Sequence, residues 1–396
     1  MREYWMPSIG SDVYMVGSRD PDRRLFDALI PLPQGTTYNS YLVRGHEGTA
    51  LVDTVNPGFE EELLEKLDVL LEGDRLNYII MNHAEPDHAG AIPAVAARYP
   101  EAVLVATAKG ASLAQAYFGV SADRIRTVAD GDSLSLGGAT LRFVEAPMLH
   151  WPETMFSFLE EQGILFSCDF FGSHTATGLW ADEVPEVLPL AKSYFGEIMM
   201  PFRSAGKRAL DKISGLKIKM IAPSHGPLHR DPEAIMHPYR RWTAGETQPK
   251  AAVVYVSMWG STQAMVNEMA DALSRRGVTV RTHNLATAEL GDIAADLVDS
   301  RAIVLGSPTV LGGLHPLALN AGNLVRALRP PAQFAALLSS YGWSEGALGQ
   351  TQEVLGKTSL EVVGTVIIQG PPTAEAYRDI RQLAADLSQR VADGRS

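Results

Sequence analysis

The chain has a single cysteine, Cys168, among its 396 residues. Disulfides within the chain are therefore excluded, which suits a reducing compartment. Internal tetrathiolate zinc, rubredoxin-type iron and iron–sulfur clusters are excluded too, because each needs several thiolates. Cys168 lies in the apolar run "GILFSCDFF" and reads as a small core residue. No apolar run reaches the roughly 18 residues of a membrane helix. The opening "MREYWMPSIGSDVYMVG" lacks the basic region and apolar stretch of a secretory signal. Basic charge is also short. The formal net charge is −12, which disfavours nucleic acid and anionic membranes as partners. A cytoplasmic location follows as the expectation. The Gly-x-Gly-x-x-Gly fingerprint of a dinucleotide fold is missing, as is the lysine of a triphosphate-binding loop. There is no internal repeat and no low-complexity tract.

What is present is apolar material, 46% of the residues, enough for two cores in a chain of this length. The first part reads as mixed. "TTYNSYLVRGHEGTALVDT" predicts two strands joined by a turn at His46–Gly48 and ending in Asp53. "FEELLEKLDVLLEG" has helical spacing with Gly73 as its C-cap, "LNYIIM" is a buried strand, "DHAGAIPAVAARYP" a helix and "AVLVATA" another strand. Gly-rich turns in "ADGDSLSLGGATLRFVEAP" separate antiparallel strands. An α/β sandwich fits this order better than a doubly wound sheet. The polar stretch "RRWTAGETQPK", where the character changes near Trp242–Lys250, reads as a linker. From Ala251 onward strands and helices alternate: "AAVVYVS", "TQAMVNEMADALSRRG", "VTVRTHNL", "RAIVLGSP", "AQFAALLSSYG", "EGALGQTQEVLGK", "LEVVGTVIIQG" and "TAEAYRDIRQLAADLSQRVADG". Five strands interleaved with helices predict a parallel, flavodoxin-type sheet. The expected division is a domain over 1–249 and a second over 250–396.

"IIMNHAEPDHAGAIP" places His83, Glu85, Asp87 and His88 within six residues, directly after a buried strand. Such a loop is ordinarily a solvated turn. Here it joins a buried strand to a helix, the edge where sites in α/β folds collect. Alternating side chains on one tight turn can serve two neighbouring metals. His150, Asp169 and His225 each follow an apolar strand as well, and Asp169 is the natural bridging carboxylate. These spacings resemble the metallo-β-lactamase fold superfamily over about residues 30–230, whose loop reads His-x-His-x-Asp-His. In that fold the acid at the position of Asp53 supports the site from outside the ligand set. The second histidine of the loop is Glu85 here. Three carboxylates (Glu85, Asp87, Asp169) against four imidazoles (His83, His88, His150, His225) favour higher oxidation states. The set therefore suits an iron pair that changes valence better than two zincs.

In the second half, "VSMWGSTQAM" offers Ser257, Met258, Trp259, Gly260, Ser261 and Thr262 at a helix N-terminus, which suits a monophosphate. The loop after "RAIVLG" brings Ser307, Pro308, Thr309, Val310, Gly312 and Gly313. The loop after "QFAALL" brings Ser340, Tyr341, Gly342 and Trp343. All three stand at expected C-terminal strand ends, where flavodoxin-like folds bind FMN. Trp259, Tyr341 and Trp343 supply flat faces for an isoalloxazine ring. Each loop alone reads as ordinary capping and packing, and their conjunction points to FMN.

The two halves together resemble the flavodiiron proteins (A-type flavoproteins) over almost the whole chain. "TTYNSYLV", "EIMMPF", "PSHGP" and "SYGWS" are similar to stretches of that family. The resemblance implies a metallo-β-lactamase-like αββα sandwich followed by a flavodoxin-like doubly wound sheet. It implies one iron on His83, Glu85 and His150, a second on Asp87, His88 and His225, and Asp169 bridging. It further implies reduction of O2 to water, of NO to N2O, or both, with Tyr194 and Trp151 lining the substrate pocket. A head-to-tail homodimer, alone or paired into a tetramer, is implied, as is an external electron donor such as rubredoxin or a flavin reductase. The family often has Asn where this chain reads Leu311–Gly312 or Gly313. The alternative is a di-zinc hydrolase of metallo-β-lactamase fold with a flavodoxin-like accessory domain.

Overall fold

The computed structural model describes residues 4–347, 349–351, 356 and 358–394. Two units divide the chain, Met1–Tyr194 with Phe202–Arg240, and Phe195–Pro201 with Arg241–Ser396.

The first unit is an αββα sandwich. One sheet orders its strands Ser8–Gly10, Val13–Met15, Tyr41–Arg44, Thr49–Val52, Tyr78–Ile80, Val103–Thr107, Ile125–Val128. Tyr41–Arg44 and Thr49–Val52 form the expected hairpin, closed by Gly45 N–H donating to the Gly48 carbonyl at 2.8 Å. The last four strands of this sheet run parallel. Strands buried on both faces read as unbroken apolar runs, and helix crossovers supply the cover. The second sheet runs Ser133–Ser135, Thr140–Glu145, Met155–Leu159, Ile164–Cys168, Met220–Pro223. The inner faces share one core, in which Val43, Val52, Ile80 and Val105 of the first sheet lie with Phe143, Leu159 and Phe166 of the second. That shared core fixes the two sheets face to face.

Two local expectations are corrected. Helix Glu60–Leu71 buries Leu63, Leu67 and Leu71 on one stripe, but its C-cap is Glu72, in the left-handed region at φ 51°, with Gly73 following. The helix expected from Asp87 onward breaks into Pro86–Ala89 and Ile92–Arg98. Pro93 lacks an N–H and its ring would clash with the carbonyl of Ala89, so a second helix starts there. At the break, a Cβ on Gly90 would lie 2.3 Å from the Pro86 carbonyl oxygen, so only glycine fits.

The second unit orders parallel strands Thr279–Asn284, Gln248–Tyr255, Ser300–Val310, Phe334–Tyr341, Glu361–Gln369, with Gly313–Leu314 folded back on the third. The strand order 2-1-3-4-5 in chain sequence is the flavodoxin-like one, and its switch point lies between Gln248–Tyr255 and Ser300–Val310. Helices Ser261–Ser274 and Ala374–Asp393 match expectation. Leu290–Leu297 and Pro316–Leu328 were not singled out from sequence. The helix expected over 345–357 lies partly outside the described residues. The expected linker is also corrected. Helix Pro232–Ala244 runs through Trp242, Gly245 turns the chain at φ 72°, and the first strand already begins at Gln248. Two polar residues of the stretch, Thr247 and Lys250, are buried: Arg301 donates to Thr247 Oγ1 at 2.9 Å, and Lys250 Nζ reaches Asp299 at 2.7 Å and Asp296 at 2.6 Å. The segment Phe195–Pro201 joins this unit because Gly196 lets Leu290–Leu297 approach. A Cβ there would lie 2.6 Å from the Ala294 carbonyl oxygen.

Lys250 is 5% exposed between two carboxylates. Its replacement by Ala removes the ammonium that faces both carboxylates and is expected to lower stability by about 3 kcal/mol in urea unfolding. Burial raises the Asp296 carboxyl, but His283 and Lys250 outweigh it and hold the group at about 2. A depressed carboxyl contributes stability above its unfolded value near pH 4. Unfolding followed against pH should therefore show this part of the stability intact above pH ~4 and lost as pH falls toward ~2.

Candidate metal centre and flavin site

Every candidate metal ligand stands just beyond a strand or on the loop after it. His83 follows Tyr78–Ile80, Asp169 directly follows Ile164–Cys168, and His225 follows Met220–Pro223. His150 comes after Thr140–Glu145, while Asp87 and His88 lie in the short helix Pro86–Ala89 that Glu85 caps. The structure brings all seven together, in two groups. Glu85 Oε2 lies 3.2 Å from His83 Nε2 and 2.9 Å from His150 Nε2. Asp87 Oδ2 lies 3.2 Å from His88 Nε2 and 3.1 Å from His225 Nε2. Asp169 turns one oxygen to each group. Its Oδ2 is 3.6 Å from His83 and 3.7 Å from His150, and its Oδ1 is 2.9 Å from His88 and 3.5 Å from His225.

The electrostatics favour positive charge at this place. Burial lowers the affinity of His88 for a proton, yet Asp169 and Asp87 overcome it and push the group up to about 9. His83 is raised for the same kind of reason, by bonds to Glu153 and Glu85 against burial. Burial works against ionisation of Glu85 and Asp169, but the neighbouring imidazoles hold both well below the usual carboxylate range. A donor set of this kind fits a cation pair on a second observation. Both Asp87 oxygens and both His88 nitrogens are buried without a hydrogen-bond partner. His88 Nε2 is nevertheless within 2.9 Å of Asp169. Close approach without hydrogen-bond alignment is what lone pairs converging on shared cations produce, and such groups are otherwise costly to bury.

Asp53 does not touch this set. Pushed up to about 6 by burial, it accepts from the backbone N–H of Asn82 at 2.8 Å and from its side chain at 3.0 Å, fixing the chain one residue before His83. Trp151 is half-buried and meets the His83 ring edge-on at 5.0 Å. Tyr194 is buried and donates its hydroxyl to Asp169 Oδ1 at 2.9 Å. Burial and the Asp169 charge raise that phenol well above its usual value, so it stays a proton donor. Three further residues were not found from sequence. Glu153 bonds His83 Nδ1 at 2.7 Å, the Thr37 carbonyl accepts from His225 Nδ1 at 2.6 Å, and the His174 ring packs 4.9 Å from that of His225. The signals for two of them were present but indirect, Glu153 three residues after His150 and Thr37 in "TTYNSYLV", and nothing adjacent in sequence marked His174.

In the second unit the expected flavin residues collect at the switch point. Gly260, in the left-handed region at φ 89°, opens helix Ser261–Ser274, and Ser257 Oγ accepts from Gly260 N–H at 3.2 Å and Gln263 N–H at 3.3 Å. No acidic residue sits in that first helical turn, so the amide-rich end suits a phosphate. Thr262 and Ser340 bond through their hydroxyls at 3.0 Å, tying the first loop to the third, and Ser307 Oγ accepts from His315 N–H in the second. Ser307–Val310 and Ser340–Tyr341, expected in loops, are instead the last residues of strands, because their backbones still pair: Pro308 with Ser340, and Val310 with Gly313. Thr309 Oγ1 is buried without a partner. Met258, Trp259 and Trp343 are exposed, the two indoles by about nine-tenths of their surface, beside half-buried Tyr341 and the turn at Gly342. Leu311 and Gly312, where the family often has Asn, offer no polar side chain.

Residues 36–226 match the family described as "ODP family beta lactamase". A nitric oxide reductase of Moorella thermoacetica is 34% identical to this chain, over 98% of it and 99% of the relative. Rubredoxin oxygen:oxidoreductase from Desulfovibrio gigas superposes with a TM-score of 0.94 at 27% identity, covering 98% of this chain and 99% of the other. The flavodiiron protein from Giardia intestinalis does so at 0.92 with 29% identity, over 99% and 98%. The chain belongs to the flavodiiron family. Membership implies a flavin and a di-iron site, and the redox reading stands over the hydrolase alternative. Among the described residues of this flavodiiron protein, no helix is long and apolar enough to cross a membrane.

If Asp169 serves both groups, Asp169→Asn should leave the purified protein with almost no iron. His150→Asn should remove only about one of the two irons that two donor trios sharing one bridge would hold. Iron per chain by atomic emission decides this, and equal losses in the two variants would contradict it.

Proposed function

We propose that this flavodiiron protein is an FMN- and di-iron-dependent oxidoreductase that reduces O2 to water, NO to N2O, or both. The observation that carries the reading is Asp169 presenting one oxygen to each of two donor trios, with Glu85 where the hydrolases have histidine. We assign one iron to His83, Glu85 and His150, the other to Asp87, His88 and His225, with residues 1–249 as the iron domain and 250–396 as the FMN domain. When bound, the iron pair supplies open coordination for a diatomic gas and two stored electrons, which FMN renews.

The chain's own groups account for the rest. Glu85, Asp87 and Asp169 would place three negative charges around a bound iron pair and so favour its higher valence. Tyr194 keeps its hydroxyl proton at Asp169 Oδ1, 2.9 Å away, ready to hydrogen-bond an oxygen that develops charge there. Trp151 walls the His83 side and limits water. In the second unit, the helix end at Gly260–Thr262 binds the flavin phosphate, and the strand end Ser307–Val310, the turn at Gly312–Gly313 and the strand end and loop at Ser340–Trp343 hold the ring, with Trp259 and Trp343 covering it.

The flavin and iron residues belong to different units, so we infer a head-to-tail homodimer, alone or paired into a tetramer, in which each flavin serves the irons of the other copy. Electrons come from an external donor such as rubredoxin or a flavin reductase. The relative from Desulfovibrio gigas carries rubredoxin in its name, which supports the first. One buried cysteine supports a cytoplasmic location, and among the described residues no helix is long and apolar enough to cross a membrane.

Purified protein should be yellow and hold iron rather than zinc. Chemically reduced, it should consume O2 in an oxygen electrode or yield N2O from NO under argon. Glu85→His is expected to slow gas turnover by about 10- to 100-fold. Undiminished turnover with unaltered metal content would refute the role given to the glutamate. Light scattering that found an active monomer would refute the dimer.

A further inference from the structure

The two donor trios are matched in what they offer directly. Each has two imidazoles and one carboxylate, and they share Asp169. Their difference lies one bond further out. His83 Nδ1 faces the Glu153 carboxylate at 2.7 Å. His225 Nδ1 faces a neutral acceptor, the Thr37 carbonyl, at 2.6 Å. His88 Nδ1 is buried with no hydrogen-bond partner. A carboxylate accepting the outer N–H of a ligating imidazole fixes its tautomer and pushes electron density to the inner nitrogen. A carbonyl does this less, and an unpartnered nitrogen does it least.

Glu153 is built into place. It is 3% exposed, and its Oε1 also accepts from Ala84 N–H at 3.0 Å, so one oxygen braces both the His83 ring and the backbone after it. Its own carbonyl accepts from Thr107 Oγ1 at 2.9 Å. That hydroxyl in turn accepts from Gly110 N–H at 3.0 Å, at the start of helix Ala108–Phe118. A carboxylate held by His83 and Ala84, on a residue whose backbone is tied to a strand end and a helix cap, is not free to swing toward solvent.

We propose that Glu153 is a positioning residue that makes the metal position on His83, Glu85 and His150 the tighter of the two, so that it fills first and empties last. The inference rests on the two-metal reading given above and adds an order to it. The added negative charge also steadies the higher valence on that side, so the two ions differ although their direct ligands match.

The test is a metal titration of the full-length protein stripped with a chelator, with FMN retained. Co(II) is followed through its visible bands and Fe(II), under argon, by competition with a coloured chelator and by Mössbauer spectroscopy of 57Fe. The native protein should bind in two steps differing by at least about tenfold. Glu153→Gln keeps an acceptor oxygen without the charge. It should weaken the first step by about 10- to 100-fold, leave the second unchanged, and shift one of the two quadrupole doublets. Glu153→Ala should do the same or more. Equal steps in the native protein would overturn the inference without any variant, as would a Gln variant that leaves both steps unaltered or weakens both alike. Circular dichroism and FMN content verify folding. A native protein that takes Co(II) in two ordered steps but binds no iron would leave the ordering intact and sink the di-iron reading instead.

Discussion

The Asp169 carboxylate is the constraint around which the first unit is arranged. A bridging group must show one oxygen to each of two places only a few ångströms apart, so it has to be buried, fixed and approached from both sides. The fold meets this by setting Asp169 on the residue after a fully buried strand, with Cys168 in the left-handed region at φ 50° turning the chain there. Tyr194 fastens one of its oxygens by a hydroxyl bond. The remaining candidate ligands then follow from where other strands end, because the sandwich brings those ends to a common edge.

Burying this many ionisable groups is costly unless each is compensated. Here imidazoles and carboxylates compensate one another in the candidate ligand set, and surrounding polar groups hold the His83 and His225 rings at their far nitrogens. Asn82 shows how that layer reaches into the scaffold. Its amide is accepted by Asp53, its side-chain oxygen accepts from Ser157, and its carbonyl accepts from Met155 N–H, joining the two sheets just before His83. The site is thus continuous with the hydrogen bonding of the core. The second unit solves a different problem with less burial. A parallel sheet whose strand order reverses leaves a crevice at its strand ends, and small or hydroxyl-bearing residues there keep backbone amides accessible to a phosphate.

Much of this was legible from residue types. Apolar runs followed at once by His, Asp or Glu marked the strand ends, and the loop from His83 to His88 carried its own spacing. What misled was local polarity. The stretch from Trp242 to Lys250 looks solvated, yet its Lys and Thr are buried against Asp299 and Arg301, residues about fifty positions away. The helix expected through Gly90 breaks ahead of Pro93, and the residue at the break must be glycine because Pro57 comes within 2.6 Å of where a Cβ would stand, an approach no periodicity reveals.

By itself the sequence determined which side chains are available to bind metal and phosphate, that thiolates are not among them, and that two kinds of sheet follow one another. Those are matters of composition and of short-range pattern, which bonding and sterics fix within a few residues. Only the tertiary structure decided that Asp169 faces both trios, that Glu153 stands behind His83, and that Phe195–Pro201 belongs with residues far along the chain. The reason is physical. These relations are set by where separate strands end once the shared core has closed, and a distance across a core has no counterpart in distance along a chain.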